Sequence, residues 1–347
     1  MKKAAALVLA FILALPVLSG CGGKEENVLR VYNWGDYIEE GMVKKFEKET
    51  GIKVLYDEFN TNEDMYPRIE ADPSLYDVIC PSDYMVEKMI EKDLLQELDY
   101  SKLTNKDNIG AQYYKALSDY VDPGNKYMIP YTWGTVGILY NTTLVDDPVT
   151  SWTILWDEKY AGSILMQDSV RDAFMVAEEI KGYSINTTDP KELEECMELL
   201  REQYPRVKGY VVDEVRDKMV ACDTALSVCY SGEYLEAKRL NPDLAYVIPD
   251  EGSNMWYDGW VITKGAKNVD AAHKWIDFLL RADIAAENFD YLTYPTPNTA
   301  AYEYIDEEIL SDPAVFPPEK DLERCAVMKY LGEEAEDLYY EMWKKVK

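Results

Sequence analysis

Short apolar segments of strand character alternate with longer amphipathic segments along almost the whole chain, and this alternation limits the possible folds most strongly. Strands are predicted at 28–32, 52–59, 76–80, 135–140, 163–166, 225–229, 244–248 and 259–263. Helices are predicted at 38–50, 85–92, 170–180, 190–203 and 269–280. Such alternation is typical of an α/β architecture with largely parallel sheets. The length of 347 residues suits two domains of roughly 150 residues each.

The N-terminus has the features of an export signal. Lys2 and Lys3 precede an apolar run over residues 4–17, which is followed by Leu18-Ser19-Gly20-Cys21. The run is shorter than the ~20 apolar residues of a membrane span, so we predict a signal peptide over residues 1–20. The Leu-Ser-Gly-Cys sequence is similar to a bacterial lipobox, and it predicts lipidation of Cys21 and a polar tether over residues 21–26. An ordinary cleavage site that contains a cysteine is the alternative.

These features place the mature chain outside the cytoplasm, held at the membrane face through its lipid anchor alone. The formal net charge of −29 argues against a nucleic-acid partner, because phosphate binding requires a basic surface. An acidic cleft can attract cationic ligands. Solubility is the simpler explanation for most of the acidic residues.

Six cysteines are present and no C-x-x-C motif occurs, which argues against a zinc knuckle or a thioredoxin-like site. Lipidation of Cys21 would leave an odd number, so at least one thiol is unpaired. We expect these cysteines to act as small buried hydrophobes. Whether Cys222 and Cys229 pair is left open.

Aromatic and acidic residues cluster at the ends of several predicted strands. Open α/β sheets bind ligands outside the carboxyl ends of their strands, so these residues are candidates for a binding site. Aromatic faces attract cations by ~0.5–2 kcal/mol and cover methylenes worth ~0.8 kcal/mol each, while carboxylates pair with ammonium groups. The combination suits an aliphatic chain that ends in ammonium groups. Four clusters, at 33–37, 81–84, 167–172 and 230–233, follow predicted strands, and a fifth, at 255–258, lies just before one.

Each of these residues has an alternative structural explanation. With 28 Tyr and 8 Trp in the chain, some aromatic residues fall near strand ends by chance. An Asp that follows a strand is also a good helix cap. We expect Asp83 to cap the next helix, and the role of Asp168 is open between a cap and a ligand contact.

Five segments make the chain resemble the bacterial spermidine/putrescine-binding proteins, in order from about residue 28 to the C-terminus. The resemblance implies an α/β fold with two lobes, of the type II periplasmic-binding-protein kind, and a ligand cleft between the lobes. It also implies delivery of a polyamine to the permease of an ABC importer, without a cofactor or metal, by a protein that we expect to be a monomer. The segments are Tyr32-Asn33-Trp34-Gly35-Asp36-Tyr37, Pro81-Ser82-Asp83-Tyr84, Ile129-Pro130-Tyr131-Thr132-Trp133-Gly134, Gly182-Tyr183-Ser184-Ile185-Asn186-Thr187-Thr188-Asp189-Pro190 and Tyr294-Pro295-Thr296-Pro297-Asn298.

The resemblance also implies how the chain divides. One lobe would comprise residues 27–134 and 258–302, and the other residues 135–257 and 303–347. The hinge would lie near residues 133–135 and 257–258, where Gly134 can absorb a change in dihedral angles.

Carried over by position, the resemblance implies a set of ligand-binding residues. They are the aromatic residues Trp34, Tyr37, Tyr84, Tyr230, Trp256 and Tyr294, the acidic residues Asp36, Asp168, Asp172 and Asp258, and Ser82.

Three positions depart from the family pattern. Tyr230 stands where relatives have Trp, Ser169 where some have a second Asp, and Met328 near a position that is polar in some. Asp168 is a neighbouring substitute for the missing carboxylate. The departures favour putrescine slightly over spermidine.

Other classes fit less well. The single histidine, His273, is expected to point to solvent from its helix, and no G-x-S-x-G, P-loop or G-x-G-x-x-G occurs, so we predict that the chain is not an enzyme. A carboxylate-based hydrolase is the remaining enzymatic alternative. A ferric-ion or sugar-binding protein of the same fold is the stronger alternative.

Overall fold

A computed structural model describes residues 27–212 and 214–347. The predicted signal peptide, Cys21 and the tether lie outside the described residues. The strands are β1 Val28–Trp34, β2 Lys53–Phe59, β3 Val78–Ile79, β4 Leu95–Gln96, β5 Met128–Asn141, β6 Ile164–Gln167, β7 Val207–Val211, β8 Leu226–Tyr230, β9 Leu244–Val247, β10 Ser253–Thr263 and β11 Cys325–Ala326. The α-helices are α1 Met42–Thr50, α2 Asn62–Ala71, α3 Asp83–Glu91, α4 Ala111–Tyr120, α5 Val170–Lys181, α6 Pro190–Gln203, α7 Val215–Val220, α8 Ser231–Leu240, α9 Val269–Leu279, α10 Ala282–Leu292, α11 Glu307–Leu310, α12 Glu319–Leu322 and α13 Glu333–Val346.

The strands follow the order β2-β1-β3-β10-β5-β8-β6-β7, with β4 and β11 beside β10 and β9 beside β5. Pairing is parallel within β2-β1-β3 and within β8-β6-β7. Each group joins the centre through an antiparallel partner, since β10 runs antiparallel to β3 and β5, and β5 runs antiparallel to β8. The predicted α/β class is confirmed, but the expectation of largely parallel sheets is wrong for the two central strands.

Two long central strands connect two hydrophobic cores, which gives the molecule its two lobes. One core contains Leu29 to Trp133 of the N-terminal part and returns with Tyr257 to Leu292. The other is formed mainly by Val136 to Val228 together with residues of α13. Along β10, the side chains of Met255 and Tyr257 pack in the first core and that of Trp256 packs in the second. The alternation of a β-strand thus directs consecutive residues to different lobes.

These central strands are longer than predicted. Strand β5 begins at Met128 and β10 begins at Ser253, so both extend before the predicted starts at 135 and 259. Nearly every residue of both strands is buried. Continuous burial on both faces removes the polar alternation by which a strand is recognised. Trp256 and Asp258 therefore lie within a strand, and the prediction that they precede one is wrong.

The prediction that His273 points to solvent is also wrong. Its side chain is buried rather than solvent-facing, because the turn that begins at Asp99 packs on α9. The ring accepts the Asp99 N–H at Nε2 over 2.9 Å and donates from Nδ1 to the Val269 carbonyl over 2.8 Å. The only histidine of the sequence is thus part of the packing between a loop and a helix.

The cysteines are free thiols in the described part of the chain. Cys80, Cys196 and Cys229 are buried, and Cys325 is partly buried. Cys222 is exposed, contrary to the expectation of burial, and its sulfur accepts N–H groups from the side chains of Asn141 and Asn241. Within residues 27–212 and 214–347, helices fall short of the length and apolar character needed to cross a bilayer.

Candidate functional site

Asp258 lies near the middle of the pairing between the two central strands, at a β-bulge. It is opposite Thr132 of β5, and the register shifts between Asp258 and Gly259. The carboxylate is buried, and Oδ2 accepts a 2.8 Å hydrogen bond from the Tyr37 hydroxyl. Among the described residues Oδ1 has no hydrogen-bond partner. Burial raises the pKa of Asp258 from 3.8 to about 6, and the hydroxyls of Ser82 and Tyr37 offset part of the rise.

A continuous series of ring contacts runs past this carboxylate. The centroids of Trp34 and Tyr37 are 6.4 Å apart, those of Tyr37 and Tyr294 are 5.9 Å apart, and those of Tyr294 and Trp256 are 5.5 Å apart. Tyr230 continues the series, with its centroid 6.0 Å from that of Trp256. All four pairs are edge-to-face, the arrangement that aromatic quadrupoles favour. The series spans both lobes, since Tyr294 packs against both cores.

Asp172 provides a second buried carboxylate at the other end of the ring series. It is the third residue of α5, and Oδ2 accepts a 2.8 Å hydrogen bond from the Tyr230 hydroxyl. The Asn254 side chain donates to Oδ1 over 3.4 Å. Both partners are neutral, so they orient the carboxylate without cancelling its charge.

A third buried carboxylate belongs to Asp83. Ser82 occupies the N-cap position of α3, so the prediction that Asp83 caps this helix is wrong. Asp83 is its first residue, and its oxygens accept the N–H of Tyr84 over 2.7 Å and the N–H of Tyr257 over 3.0 Å. Burial raises the pKa of Asp83 well above its ordinary value, and the two N–H donors oppose this rise.

Tyr84 stands on α3 close to the same region. Its hydroxyl donates to Glu63 over 3.0 Å and accepts from the side chain of Asn62 over 3.0 Å. Burial raises the pKa of Tyr84 well above its ordinary value, and Glu63 and the more distant Tyr230 add to the rise.

The three carboxylates share one electrostatic property. In the part of the chain that the structure describes, no basic side-chain nitrogen lies within 4.0 Å of a carboxylate oxygen of Asp83, Asp172 or Asp258. A buried charge without a partner is costly. The arrangement therefore favours a cation between the lobes, and the rings beside it can cover an apolar body.

Comparison with known proteins gives the context of this geometry. Residues 41–317 match the family model of the bacterial extracellular solute-binding proteins. The spermidine/putrescine-binding periplasmic protein of Escherichia coli (strain K12) is 36% identical over 343 residues, covering 98% of this chain and 97% of its own length.

The chain belongs to the bacterial extracellular solute-binding proteins.

Solved structures agree with this assignment. A Listeria monocytogenes protein assigned to a spermidine/putrescine ABC transporter is 41% identical and superimposes with a TM-score of 0.87, covering 92% of this chain and 98% of its own. The TpPotD lipoprotein of Treponema pallidum is 29% identical, with a TM-score of 0.82, and covers 92% of this chain and 99% of its own. The predicted resemblance to spermidine/putrescine-binding proteins and the two-lobed fold are confirmed. The family consists of solute-binding proteins rather than enzymes.

Most predicted site residues of this solute-binding protein come together. The rings of Trp34, Tyr37, Tyr230, Trp256 and Tyr294 form the contact series, with Asp258 and Asp172 bonded to two of them and Ser82 bridged to Asp258. Their contact with a ligand stays a prediction.

Two predicted acidic residues lie apart from this series. Asp36 is exposed in the loop after β1, with φ of 51°. Asp168 pairs with the amine of Lys347, and its side chain is 46% exposed. The cap of α5 is the neighbouring Ser169, whose hydroxyl accepts the Asp172 N–H.

Several residues of the site were missed in the sequence. Thr132 forms a 2.5 Å hydrogen bond with the Tyr37 hydroxyl, and Glu233 accepts a 3.1 Å hydrogen bond from Tyr294. Asn254 and Glu63 orient Asp172 and Tyr84. Thr132 and Glu233 lie inside motifs noted in the sequence, but only the fold brings their partners to them. Asn254 and Glu63 have no local signal.

Proposed function

We propose that this solute-binding protein binds a polyamine outside the cytoplasm and delivers it to an ABC importer. The observation that carries the proposal is the set of three buried carboxylates, Asp83, Asp172 and Asp258, without a basic partner among the described residues. An aliphatic di- or polyamine supplies the missing cations. Amines of this kind resemble the lysine side chain, whose pKa is about 10.4, and they are protonated at neutral pH.

The rings account for the aliphatic part of the ligand. Methylenes covered by Trp256, Tyr37 and Tyr294 contribute ~0.8 kcal/mol each, and cation–π attraction adds ~0.5–2 kcal/mol at each ring. Together with two ion pairs, these contributions are compatible with micromolar affinity, about −8 kcal/mol. The names of the relatives, which bind spermidine and putrescine, support the same ligand class.

Within this class we infer a preference for putrescine over spermidine. The hydroxyl of Ser169 accepts the Asp172 N–H as the cap of α5, and Met328 is buried in the second core. Neither position supplies a further charge or polar group for a longer triamine. Two carboxylates at the ends of the ring series, Asp258 and Asp172, match the two ammonium groups of a diamine.

Calorimetric titration tests the ligand class. Protein that lacks residues 1–21 is titrated with putrescine, spermidine, cadaverine, ferric ion and maltose. We expect micromolar or tighter binding of polyamines, with putrescine tightest, and no heat from maltose or iron. Absence of heat with every polyamine would refute the proposal, and a signal from iron or maltose alone would replace it with one of those ligands.

The lobe boundaries form a further part of the proposal. We propose lobes of residues 27–134 with 258–302 and of residues 135–257 with 303–347, which close about a hinge at residues 133–135 and 257–258. Most residues of the first core lie within 27–134 and 258–302, and most residues of the second lie within 135–257 and 303–347, which supports this division. Closure of a ligand cleft between the lobes would involve the ring contacts of Tyr294 with Tyr37 and Trp256. X-ray scattering should show a smaller radius of gyration in saturating putrescine, and an unchanged radius would refute closure.

We also propose that residues 1–20 direct export and that Cys21 carries a lipid anchor, on a protein that acts as a monomer. The Leu18-Ser19-Gly20-Cys21 motif supports the anchor, and a relative of the same fold is a lipoprotein. Expression of the whole chain in a bacterium with lipoprotein processing tests it. The wild type should fractionate with membranes and Cys21→Ser should not, and equal fractionation of both would contradict the anchor.

A further inference from the structure

The segment that leads from β3 into α3 continues the pairing of β3 beyond the end of that strand. Strand β3 pairs with β10 in an antiparallel register, in which Val78 faces Ile262 and Ile79 faces Val261. The same register reaches Ser82, which forms an isolated bridge with Asp258. It therefore places Asp83 opposite Tyr257, where the strand has ended and the helix has begun.

At this position a side-chain carboxylate, instead of a backbone carbonyl, accepts the hydrogen bond from β10. The carboxylate of Asp83 accepts the N–H of Tyr257 over 3.0 Å. Two residues further along β10, the Gly259 N–H donates to the Pro81 carbonyl over 3.2 Å. The backbone is thus held by the same segment on both sides of Asp258. The orientation of the Asp258 carboxylate depends on this attachment.

Asp83 also brings a second buried carboxyl group to the vicinity. Its side chain is 1% exposed, and Asp258 is 6% exposed. The charge of Asp258 contributes to raising the pKa of Tyr37, Cys80, Asp83 and Tyr230, all of which are acids. Like charges in one buried site disfavour each other's ionisation, and a cation beside them relieves both.

We propose that Asp83 and Asp258 form a coupled carboxyl pair that attracts one ammonium group of the ligand. Asp258 contacts that group, whereas Asp83 acts as a positioning residue that holds β10 at Tyr257 and supplies a second carboxyl group beside the strand. The inference rests on the proposed polyamine function and deepens it. It identifies a second acidic residue for one end of the ligand, at a position that was expected to serve only as a helix cap.

Asp83→Asn is the main test, because it keeps the shape of the side chain and removes the charge. Asp77→Asn is the matched control. Asp77 is likewise 1% exposed, and it accepts backbone N–H groups from Arg30, Lys267 and Asn268 at the other end of β3. Asp83→Ser is the second neutral variant, since its hydroxyl can still accept an N–H if the amide of Asn prevents folding.

The first measurement needs no ligand. In protein with ¹³C-labelled aspartate, the carboxyl signal of Asp258 is followed against pH. The wild type and Asp77→Asn should show two coupled steps, and a folded neutral variant at position 83 should show a single step. A single step with the same midpoint in the wild type and the variant would overturn the pair.

The second measurement is calorimetric titration with putrescine at pH 8. The Asp83 variants should bind at least about tenfold more weakly than the wild type, as expected when a charge of a buried site is removed, and Asp77→Asn should bind like the wild type. Equal affinities would overturn the contribution of Asp83 to the ligand. Failure of the wild type to bind any polyamine would refute the proposed function, while the carboxyl titration would still decide whether the pair exists.

Discussion

Asp258 combines three properties that seldom occur together in one side chain. It is buried, it has no basic partner among the described residues, and one of its oxygens lacks a hydrogen bond there. The Tyr37 hydroxyl and the Ser82 segment hold it in place. A carboxylate whose position is secured in this way, but whose charge is not balanced, is prepared for a cation from outside the protein.

Asp258→Asn should weaken putrescine binding at least about tenfold, equivalent to about 1.4 kcal/mol, because the amide cannot form the ion pair. The variant should unfold at a temperature equal to or above that of the wild type, since an uncompensated buried charge has been removed. Calorimetric titration and a thermal melt measure both effects. An unchanged affinity would show that the cation binds elsewhere.

The substitution Asp168→Asn distinguishes the role of Asp168, which precedes α5, from that of Asp172 in the first turn of the helix. Since Asp168 is half exposed and paired with Lys347, its replacement should leave putrescine affinity within about twofold, because exposed ion pairs contribute only ~0–1 kcal/mol. Asp172→Asn should instead lower affinity about tenfold or more. If calorimetry showed a larger loss of affinity for Asp168→Asn than for Asp172→Asn, Asp168 rather than Asp172 would be the ligand contact.

At the level of elements, the start of α8 is fitted closely to the ring of Tyr294. A Cβ on Gly232 would lie 2.3 Å from the Tyr294 ring, and the Gly232 carbonyl accepts a hydrogen bond from the Thr293 hydroxyl. Glu233, the next residue, accepts the Tyr294 hydroxyl. The helix thus sets the position of a ring that contacts both Tyr37 and Trp256.

Gly232→Ala should therefore displace Tyr294 and lower putrescine affinity at least fivefold, in line with the ~1–3 kcal/mol cost of overpacking. Gly209→Ala is the control, since its nearest contact would be Leu165 at an ordinary 3.8 Å. Calorimetry of both variants measures the difference. If Gly232→Ala binds as well as Gly209→Ala, the position of Tyr294 does not matter for the ligand.

At the level of the whole molecule, ligand binding and proton binding compete between the lobes. The pKa of Asp258 is about 6 in the ligand-free protein because of burial. An ammonium group beside it stabilises the carboxylate and lowers that pKa. The bound protein therefore holds fewer protons than the free protein near pH 6, and affinity rises with pH.

We expect putrescine affinity to fall as pH drops through 6, by up to about tenfold per pH unit for one proton, and to level off above pH 7. Titrations at pH 5, 6, 7 and 8 test this. Asp258→Asn should remove most of the dependence. Affinity that rises at low pH would contradict the sign, and a slope that persists in the variant would assign the proton to another group.

Much of this organisation is visible in the sequence because it is local. The alternation of strands and helices predicts the α/β class, and α6 is observed at the predicted bounds, Pro190–Gln203. Trp34 and Tyr230 are the last residues of β1 and β8, in agreement with the expectation of a site at the carboxyl ends of strands, although the two strands belong to different parallel groups. The five motifs also indicate the family, because each is a short continuous stretch of sequence.

Only the tertiary structure decided which distant segments contact the acidic residues and the histidine. From the sequence, Asp83 is predicted to cap a helix. In the folded chain its carboxylate accepts the N–H of Tyr257, a residue 174 positions away. His273 is buried because a distant loop covers its helix, and Asp168 is paired with Lys347 and lies apart from the ring series.

The sequence by itself thus determined the α/β class, several of the elements, the family and most members of the candidate site, because period, strand ends and motifs are local. Burial and the absence of a basic partner near the three carboxylates depend on which distant segments meet in the folded chain. These long-range contacts convert a set of acidic and aromatic residues into a site that favours a cation.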